Sequence, residues 1–395
     1  MINSANVPTP NSSLPLSGIR ILEFSHTVMG PSCGVILADL GADVIKVEPP
    51  EGEPTRRAAG FASGFFPYFN RNKRSLTADL KSAEGINLVR SLLADADVVL
   101  ENYAPGTMER LGLGYDALAE RNPRLIYCSL KGFLTGPYER RPALDEIIQY
   151  MTGLAYMTGP PGRPLRAGAS VVDILGGAFG VIAILAAIHE RERTGRGQFV
   201  KSALFESSAF LVGQHMAGEA VIGEPAPPMP VRGAAWGIYE TYKTAEGGDV
   251  FIGVTSDNHW RRFCRAFGLE DLLADETLRD NTGRVAAKGR LKERVGAVVS
   301  TLAARDVCER CERAEIPFSP VATPSDLFDD PQLNAGIGMM NTRLADGRHA
   351  KLPRLPIEVG AHELRLRRQP PTLGEHNAEI IAEGQASHAA EDARR

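Results

Sequence analysis

The chain is poor in cysteine, in aromatic residues and in excess charge of either sign. Its 395 residues contain only five cysteines, and aromatic residues make up 7% of the sequence. The cysteines are scattered and odd in number, which is typical of a reducing compartment rather than a disulfide-stabilised scaffold. We therefore expect a cytoplasmic protein. The net charge of −4 gives no general attraction for nucleic acid or an anionic membrane, so neither is expected as a partner.

Recognisable metal-ligand and targeting patterns are also lacking. Cys308 and Cys311 form a CxxC pair, but no second pair or histidine lies at metal-ligand spacing, so we expect no metal and place both cysteines on a surface helix. Residues 1–17 have no basic start and no apolar core, which predicts a flexible leader rather than a signal peptide. The longest apolar run, Val171 to Ile188, is interrupted by Asp173 and by glycines. It favours a buried core helix over a membrane span.

Alternating strand and helix patterns fill the first ~135 residues. The stretches "GIRILEFS" and "DVIKVEPP" read as strands on either side of a helical segment, and such a βαβ unit implies a parallel sheet. We therefore predict an α/β fold of the doubly wound type. The Pro- and Gly-rich stretch "GEPAPPMPVRGAAWG" indicates a domain boundary. It is followed by the hairpin pattern "GIYETYKTAEGGDVFIGV", typical of a second, smaller α+β domain.

Polar and basic side chains collect at the expected strand ends. The stretches that carry them are "FNRNKRS", "ENYAPGTMERLG" and "SLKGF". Ligands of open α/β sheets bind outside the carboxyl ends of the strands, and guanidinium and ammonium groups suit a polyphosphate. The first turn, "SHTVMGPSCG", lacks the GxGxxG pattern of a dinucleotide site. These features favour a phosphorylated nucleotide carrier as ligand and disfavour NAD.

Asp173 is the one acid in the long apolar segment, and two interpretations of it stay open. A carboxylate in the first turn of a helix gains about 0.3–1 kcal/mol from the helix dipole. However, Ser170 is the better candidate for the N-cap. Gly176 and Gly177 follow within one turn, and two glycines in a helix suggest close approach by another group, leaving room for a substrate. An ionised Asp held at such a place is also a possible nucleophile.

The chain resembles the class III CoA-transferases of the CaiB/BaiF type. The matching stretches are "GIRILEFSHTVMGPSCGVILADLGADVIKVEPPEGEPTR", "NRNKRSLTADLKSAEG", "ENYAPGTMERLGLGYDALAERNPRLIYCSLKGF", "VVDILGG", "TGRGQFV" and "PTLGEHNAEI". The resemblance implies a Rossmann-like large domain built from both chain ends and a smaller α+β domain. It places the large domain at 18–222, the linker and small domain at 223–330 and the return to the large domain at 331–395. It also implies two subunits interlocked as an obligate homodimer.

The resemblance further implies a reaction and a set of site residues. Asp173 is the expected nucleophile, which attacks an acyl-CoA thioester and passes through an aspartyl anhydride and an aspartyl-CoA thioester. Coenzyme A or acyl-CoA enters as substrate, and no tightly bound cofactor or metal is required. The positions that correspond to the CoA contacts of the family are His26, Thr27, Val28, Met29, Asn72, Lys73, Asn102, Tyr103, Arg110 and Lys131.

Departures from two branches of the family narrow the expected activity. The racemase branch has a histidine before an acid, whereas this chain has Leu144 before Asp145, so two-base proton exchange lacks one partner. The formyl-CoA transferase branch has a glycine run in its lid and a tyrosine after "KG", where this chain has "PMPVRGAAWG" and Phe133. A racemase or isomerase and a non-catalytic CoA- or nucleotide-binding module remain the alternatives.

The stretch that leads to Asp173 is similar to the subgroup acting on C4 and C5 dicarboxylates, which includes mesaconyl-CoA C1–C4 transferase and succinyl-CoA-dependent transferases for itaconate, citramalate or malate. An arginine suits a distal carboxylate because its guanidinium binds it through two parallel hydrogen bonds. Among the arginines of the nearby loops, Arg166 is the first candidate and Arg140 the second.

Overall fold

A computed structural model of the chain describes residues 14–232, 235–336, 338–360 and 362–392. The chain divides into two compact units, Met1–Pro230 with Pro331–Arg395, and Val231–Asp330. The second unit therefore begins inside the Pro- and Gly-rich stretch. Most of the expected leader, residues 1–13, lies outside the described residues. Its last part is not a free tail, because Leu14 and Leu16 pack on the core of the first unit.

The first unit begins with six parallel strands and the helices between them. In chain order these elements are β1 (Arg20–Phe24), α1 (Met29–Asp39), β2 (Asp43–Glu48), α2 (Phe65–Phe69), β3 (Arg74–Thr77), α3 (Ala83–Ala94), β4 (Val98–Glu101), α4 (Thr107–Arg110), α5 (Tyr115–Ala119), β5 (Ile126–Lys131), α6 (Asp145–Met151), α7 (Leu154–Thr158), α8 (Val171–Thr194), β6 (Phe199–Ala203) and α9 (Leu204–Ile222). The strand order is β3-β2-β1-β4-β5-β6. This is the doubly wound order, so the α/β prediction is confirmed.

The second unit is an α+β structure with its own core. Its elements are β7 (Ile238–Lys243), β8 (Asp249–Val254), α10 (Asp257–Phe267), α11 (Glu270–Leu273), α12 (Asn281–Ala286), α13 (Lys288–Val299), α14 (Ala304–Arg313) and β9 (Phe318–Pro320). Strands β7 and β8 form the expected antiparallel hairpin, and β9 pairs with β8. The expectation that α14 carries both cysteines on its surface is wrong for Cys311, which is buried in this core.

After the second unit the chain returns to the first. The returning elements are α15 (Pro331–Asn334), β10 (Met339–Arg343), β11 (His349–Pro353) and α16 (Asn377–Asp392). Helix α16 is held by Arg74 of the edge strand β3, which is buried and pairs with Asp43 at 2.6 Å, Glu379 at 2.9 Å and Glu383 at 2.8 Å. An arginine buried without such partners would destabilise the fold strongly, so the end of the chain completes the sheet edge.

Helix α8 is buried on one face only. Val172, Val181 and Ile184 lie in the core with the neighbouring sheet and α1, whereas Ile182 is 59% exposed. Among the described residues, α8 is also the one helix long and apolar enough to cross a membrane by length and composition. The expectation of a core helix therefore holds for one face, and the other face is an exposed apolar surface.

Candidate active site

The loops after β1 and β4 meet where the strand order reverses. The backbone N–H of His26 donates to Oδ1 of Asn102 at 3.0 Å, and Nδ2 of Asn102 donates to the carbonyl of His26 at 2.9 Å. The rings of His26 and Tyr103 stack with centroids 5.9 Å apart. The structure thus brings together three of the residues expected to contact CoA, at the edge where open α/β sheets bind ligands.

Lys131 lies beside this pair of loops, and Arg110 lies on the short helix α4. Nζ of Lys131 donates to Oε2 of Glu101 at 2.7 Å and to the carbonyl of Tyr103 at 2.6 Å, so it supports the loop that carries Tyr103. Arg110 is exposed, with a hydrogen bond from its guanidinium to Thr107. Of these two cations, Arg110 has the more open guanidinium for an anionic ligand.

The remaining residues of the loop after β1 differ in exposure: Thr27 is exposed, whereas Val28 and Met29 are buried. Thr27 is exposed and has a positive φ of 69°, and its N–H donates to Oε2 of Glu53 at 3.0 Å. The side chains of Val28 and Met29 are buried. Contact of Val28 and Met29 with CoA therefore stays a prediction.

Charged residues buried under this loop hold its conformation. Nζ of Lys46 donates to the carbonyl of Ser25 at 2.9 Å and pairs with Glu23 and Glu53. The pKa of Lys46 is raised, because these carboxylates outweigh the effect of its burial. We did not single out Glu23 or Lys46 from the sequence. The available signal was a charge inside each of the apolar strands "RILEF" and "DVIKVE", since strands of buried parallel sheets are usually continuous apolar runs.

Asn72 and Lys73 are not placed to present side chains to CoA. Lys73 is fully buried and pairs with Glu23 at 2.7 Å, and burial lowers its pKa to about 8. Asn72 has a positive φ of 62°, and its Nδ2 donates to Oδ1 of Asp39 at 2.8 Å. Its Oδ1 accepts from the backbone N–H groups of residues 367 and 368. The expectation is corrected for both side chains, which join internal parts of the fold.

Asp173 is the third residue of α8 and is partly exposed. Burial, and to a lesser degree the charge of Asp145, raise its pKa to about 7. The expectation that Ser170 caps the helix is wrong, because its side chain makes no cap hydrogen bond. The cap comes instead from α6, where Oδ2 of Asp145 accepts from the N–H groups of Val172 at 2.8 Å and Asp173 at 3.0 Å. Asp173 itself is therefore free of a capping task.

The two glycines after Asp173 serve helix packing and leave no room for a substrate. A Cβ at Gly176 would lie 2.6 Å from Cε of Met29, and one at Gly177 would lie 2.2 Å from Oγ of Ser32 and 2.7 Å from a backbone oxygen of α1. The expectation that these glycines accommodate a thioester is therefore wrong. They let α8 approach α1 closely, which sets the position of the helix that carries Asp173.

Neither candidate arginine has a carboxylate-binding geometry that is already formed. Arg166 pairs with Glu146 at 3.0 Å, and both side chains are largely exposed. Arg140 is also exposed. An exposed ion pair is worth only about 0–1 kcal/mol, so Arg166 exchanges its partner easily. The roles of Arg140 and Arg166 toward a substrate stay predictions.

Comparisons with known proteins identify the family of the chain. The model of CoA-transferase family III matches residues 16–377. The succinate–glutarate CoA-transferase of Agrobacterium fabrum is 38% identical over 390 residues, which cover 95% of this chain and 96% of that protein. The succinyl-CoA:mesaconate CoA-transferase of Haloarcula hispanica is 35% identical, over 81% of this chain and 83% of that protein.

A solved structure shows the same fold. The crystal structure of a CaiB/BaiF family protein from Brucella suis has a TM-score of 0.85 at 34% sequence identity, and the match covers 94% of this chain and 100% of that one. The family match extends over nearly the whole chain and includes the loops after β1 and β4 as well as the start of α8. The chain therefore belongs to CoA-transferase family III and is a transferase that acts on CoA thioesters.

Proposed function

We propose that the protein transfers CoA between small dicarboxylic acids of four or five carbons, with Asp173 as the nucleophile. The observation that carries this proposal is the position of Asp173: a partly exposed carboxylate in the first turn of α8, whose helix is capped by a different residue. A carboxylate with a raised pKa is also a stronger nucleophile once ionised. Its pKa of about 7 leaves a large ionised fraction near neutral pH.

The proposed reaction consists of four exchanges at carbonyl carbon. An oxygen of Asp173 attacks the acyl-CoA thioester, and the C–S bond breaks. CoA thiolate is released, and a mixed anhydride forms between Asp173 and the acyl group. The thiolate then attacks the aspartyl carbonyl, which releases the donor acid as carboxylate and leaves an aspartyl-CoA thioester. The acceptor carboxylate attacks this thioester and expels the thiolate. Finally, the thiolate attacks the acceptor carbonyl, and Asp173 is regenerated with the new acyl-CoA. No net proton or water is consumed.

The substrate class is supported by the relatives and by the arginines near α8. The two relatives described above bear names with succinate and glutarate or succinyl-CoA and mesaconate, and another, from Chloroflexus aurantiacus, is named for succinyl-CoA and D-citramalate. All of these acids carry a second carboxylate. We propose succinyl-, mesaconyl- or itaconyl-CoA as donors, and Arg166 or Arg140 as the group that binds the distal carboxylate.

Racemase activity is disfavoured at the position where it needs a base. The side chain that precedes Asp145 is Leu144, which cannot exchange a proton and is 66% exposed. Asp145 itself accepts two backbone hydrogen bonds, so it is not a second base for Asp173. A two-base proton exchange has no partner in this arrangement.

We also propose a cytoplasmic, interlocked homodimer. The support for a second copy is the apolar surface on α8 and α9, where Ile182, Phe210 and Met216 are all more than half exposed. Exposed apolar patches of this kind usually mark protein interfaces. The support for a reducing compartment is that all five cysteines are free. Light scattering on the purified protein tests the dimer, and a monomer would rule it out.

Isotope transfer tests the nucleophile directly. When CoA attacks the acceptor carbonyl, the bridging oxygen stays on the aspartate, so an ¹⁸O-labelled acceptor such as glutarate should place one heavy oxygen per turnover, and up to two in all, in the peptide that contains Asp173. Mass spectrometry after proteolysis detects it. Asp173→Ala should abolish exchange, whereas Asp116→Asn, an exposed acid in the first turn of α5, should leave it intact. An unlabelled peptide during full turnover would refute the mechanism.

A panel of acceptors tests the substrate class. Succinyl-CoA should donate to glutarate, mesaconate, malate, citramalate or itaconate far better than to butyrate, which lacks the distal carboxylate. Equal rates with butyrate would contradict the dicarboxylate assignment without touching the nucleophile. The variants Arg166→Gln and Arg140→Gln are compared by their rates with glutarate and with butyrate. A loss of rate with glutarate alone indicates binding of the distal carboxylate, whereas a loss with both acids indicates a general effect.

A further inference from the structure

The start of α8 is held by a chain of hydrogen bonds that begins outside the helix. Oδ2 of Asp145 accepts from the two N–H groups at the start of α8, and Oδ1 accepts from Nε2 of Gln149 at 2.5 Å. Oε1 of Gln149 in turn accepts from the N–H of Ala167 at 2.8 Å. Gln149 is fully buried and Asp145 nearly so. Both acidic oxygens are therefore occupied by N–H donors.

The direction of these hydrogen bonds indicates the charge on Asp145. Ala167 offers only an N–H, so Gln149 must turn its oxygen toward it and its NH₂ toward Asp145. Each hydrogen-bond partner that the structure describes for the carboxylate of Asp145 is then a donor, which matches an ionised carboxylate. An amide at position 145 would place its own NH₂ against one of these donors.

Two connections tie the segment before α8 to α6. One is the bond from Ala167 to Gln149, and the other is the ion pair between Arg166 and Glu146. We propose that Asp145 is a positioning residue for the transferase reaction, oriented by Gln149, which fixes the start of α8 and thereby the carboxylate of Asp173. This inference rests on the proposed role of Asp173 as the nucleophile. Asp145 touches neither CoA nor the acyl group in this role, and acts only through Asp173.

Several other charged groups on the elements packed against α8 have partners of their own. On the packed elements, Lys131 pairs with Glu101, Lys201 with Glu139 and Asp39 with Arg71. A further set comprises Glu146, paired with Arg166, and Glu206, His215 and Glu219 on α9. Asp145 is the charged group that acts on the pKa of Asp173. The charge at position 145 and the ionisation of Asp173 are therefore coupled.

The experiment measures capture of the acyl-enzyme on Asp173 by quenched-flow and denaturing mass spectrometry, with succinyl-CoA as probe, from pH 5 to 9. Asp145→Asn should slow capture at pH 8 by about tenfold or more, because misplaced reacting groups lose rate steeply. It should also move the acid limb of the pH profile to lower pH, because the like charge beside Asp173 is gone. In Asp145→Glu the changed geometry should still slow capture. Because the charge is kept, the acid limb of the pH profile should stay near its wild-type pH.

The control is Asp116→Asn, the same chemical change in the first turn of another helix, which should match wild type. If Asp145→Asn does not fold, Gln149→Met provides the second measurement, with a lower kcat and an unchanged KM for succinyl-CoA. For Asp145→Asn, capture at the wild-type rate, or slower capture with an acid limb that does not move, would overturn the positioning role. No adduct on Asp173 in the wild type would instead refute the proposed function, and this inference with it.

Discussion

Gly177 and Ser32 lie so close that a Cβ at position 177 would stand 2.2 Å from Oγ of Ser32. The nearest backbone atoms of α1 would be 2.7 and 3.1 Å away, and backbone moves less readily than a side-chain tip. Helix α8 therefore packs closely on α1 at Gly177, which has no side chain. The position of Asp173, one turn earlier in α8, depends on this contact.

Gly177→Ala should destabilise the first unit by about 1–3 kcal/mol, the usual cost of overpacking a well-packed contact. Urea unfolding followed by circular dichroism measures it. Gly296→Ala is the control: this glycine lies in the middle of α13, and its Cβ would meet only Tyr242 at 3.9 Å. There, alanine should stabilise slightly because it favours the helix. Equal effects of the two variants would contradict the packing role.

The rate of acyl capture should rise with pH through about 7. Only the ionised carboxylate attacks the thioester, and burial together with the charge of Asp145 raises the pKa of Asp173 to about 7. Below that pH the rate should fall by about tenfold per pH unit, as for a single essential base. The measurement is kcat/KM for succinyl-CoA at constant ionic strength. A profile that is flat down to pH 5 would show that Asp173 is ionised throughout.

Asp173→Asn should make the protein more stable at high pH. The pKa of Asp173 rises from an ordinary 3.8 to about 7 on folding, so the folded state binds a proton that the unfolded state has lost, and stability falls as pH rises between these values. The amide removes this loss. Because the group is partly exposed, we expect a gain of about 1–2 kcal/mol at pH 8 and none near pH 3.5. A gain that is independent of pH would contradict an electrostatic origin.

Asn72→Gly should weaken the attachment of the returning chain while leaving CoA affinity unchanged. Glycine tolerates the positive φ of 62° at this position, so the variant removes only the side chain. Its hydrogen bonds to Asp39 and to backbone at 367 and 368 would be lost, at about 2–4 kcal/mol for several buried groups left unpaired. Thermal unfolding and the KM for succinyl-CoA test both halves of this prediction.

Arg110→Ala should leave stability nearly unchanged and raise the KM for succinyl-CoA, the opposite of Asn72→Gly. Its guanidinium is exposed and bonds only to Thr107 among the described contacts of its side chain, so stability should stay within about 0.5 kcal/mol. The KM for succinyl-CoA should rise severalfold if Arg110 binds a CoA phosphate. Arg121→Ala, another exposed arginine of the same unit, is the control. An unchanged KM would remove Arg110 from the CoA site.

Local sequence signals predicted the elements whose patterns are strong. β1, α1 and β2 follow the expected strand–helix–strand order, and Ser82 caps α3 by accepting from the N–H of Gly85. The stretch "ERLGLGYDALAERNP" has a helical pattern, but it contributes to two short helices, α4 and α5, because Gly112 between them adopts a φ of 65°. Strand β3 was missed because its four residues, "RSLT", show no apolar run and are defined by pairing with β2.

The site could be predicted only as far as its residues act locally. His26, Asn102 and Tyr103 follow strands, and a parallel sheet places such residues at one edge. The cap of α8 could not be foreseen in the same way, because Asp145 reaches Asp173 from 28 residues away in the chain. The internal roles of Asn72 and Lys73 likewise depend on Glu23, Asp39 and the returning chain, contacts that no nearby sequence pattern reveals.

The position of Arg74 also sets an order of events during synthesis. Its partners Glu379 and Glu383 follow it by 305 and 309 residues, so the ribosome makes them long after Arg74. Until then Asp43 is the only one of its three carboxylate partners present, and the edge of the nascent sheet is incomplete. The intervening unit, Val231–Asp330, emerges first with a core of its own. A nascent chain stalled before Glu379 therefore exposes strand β3, an open edge that invites pairing with other chains.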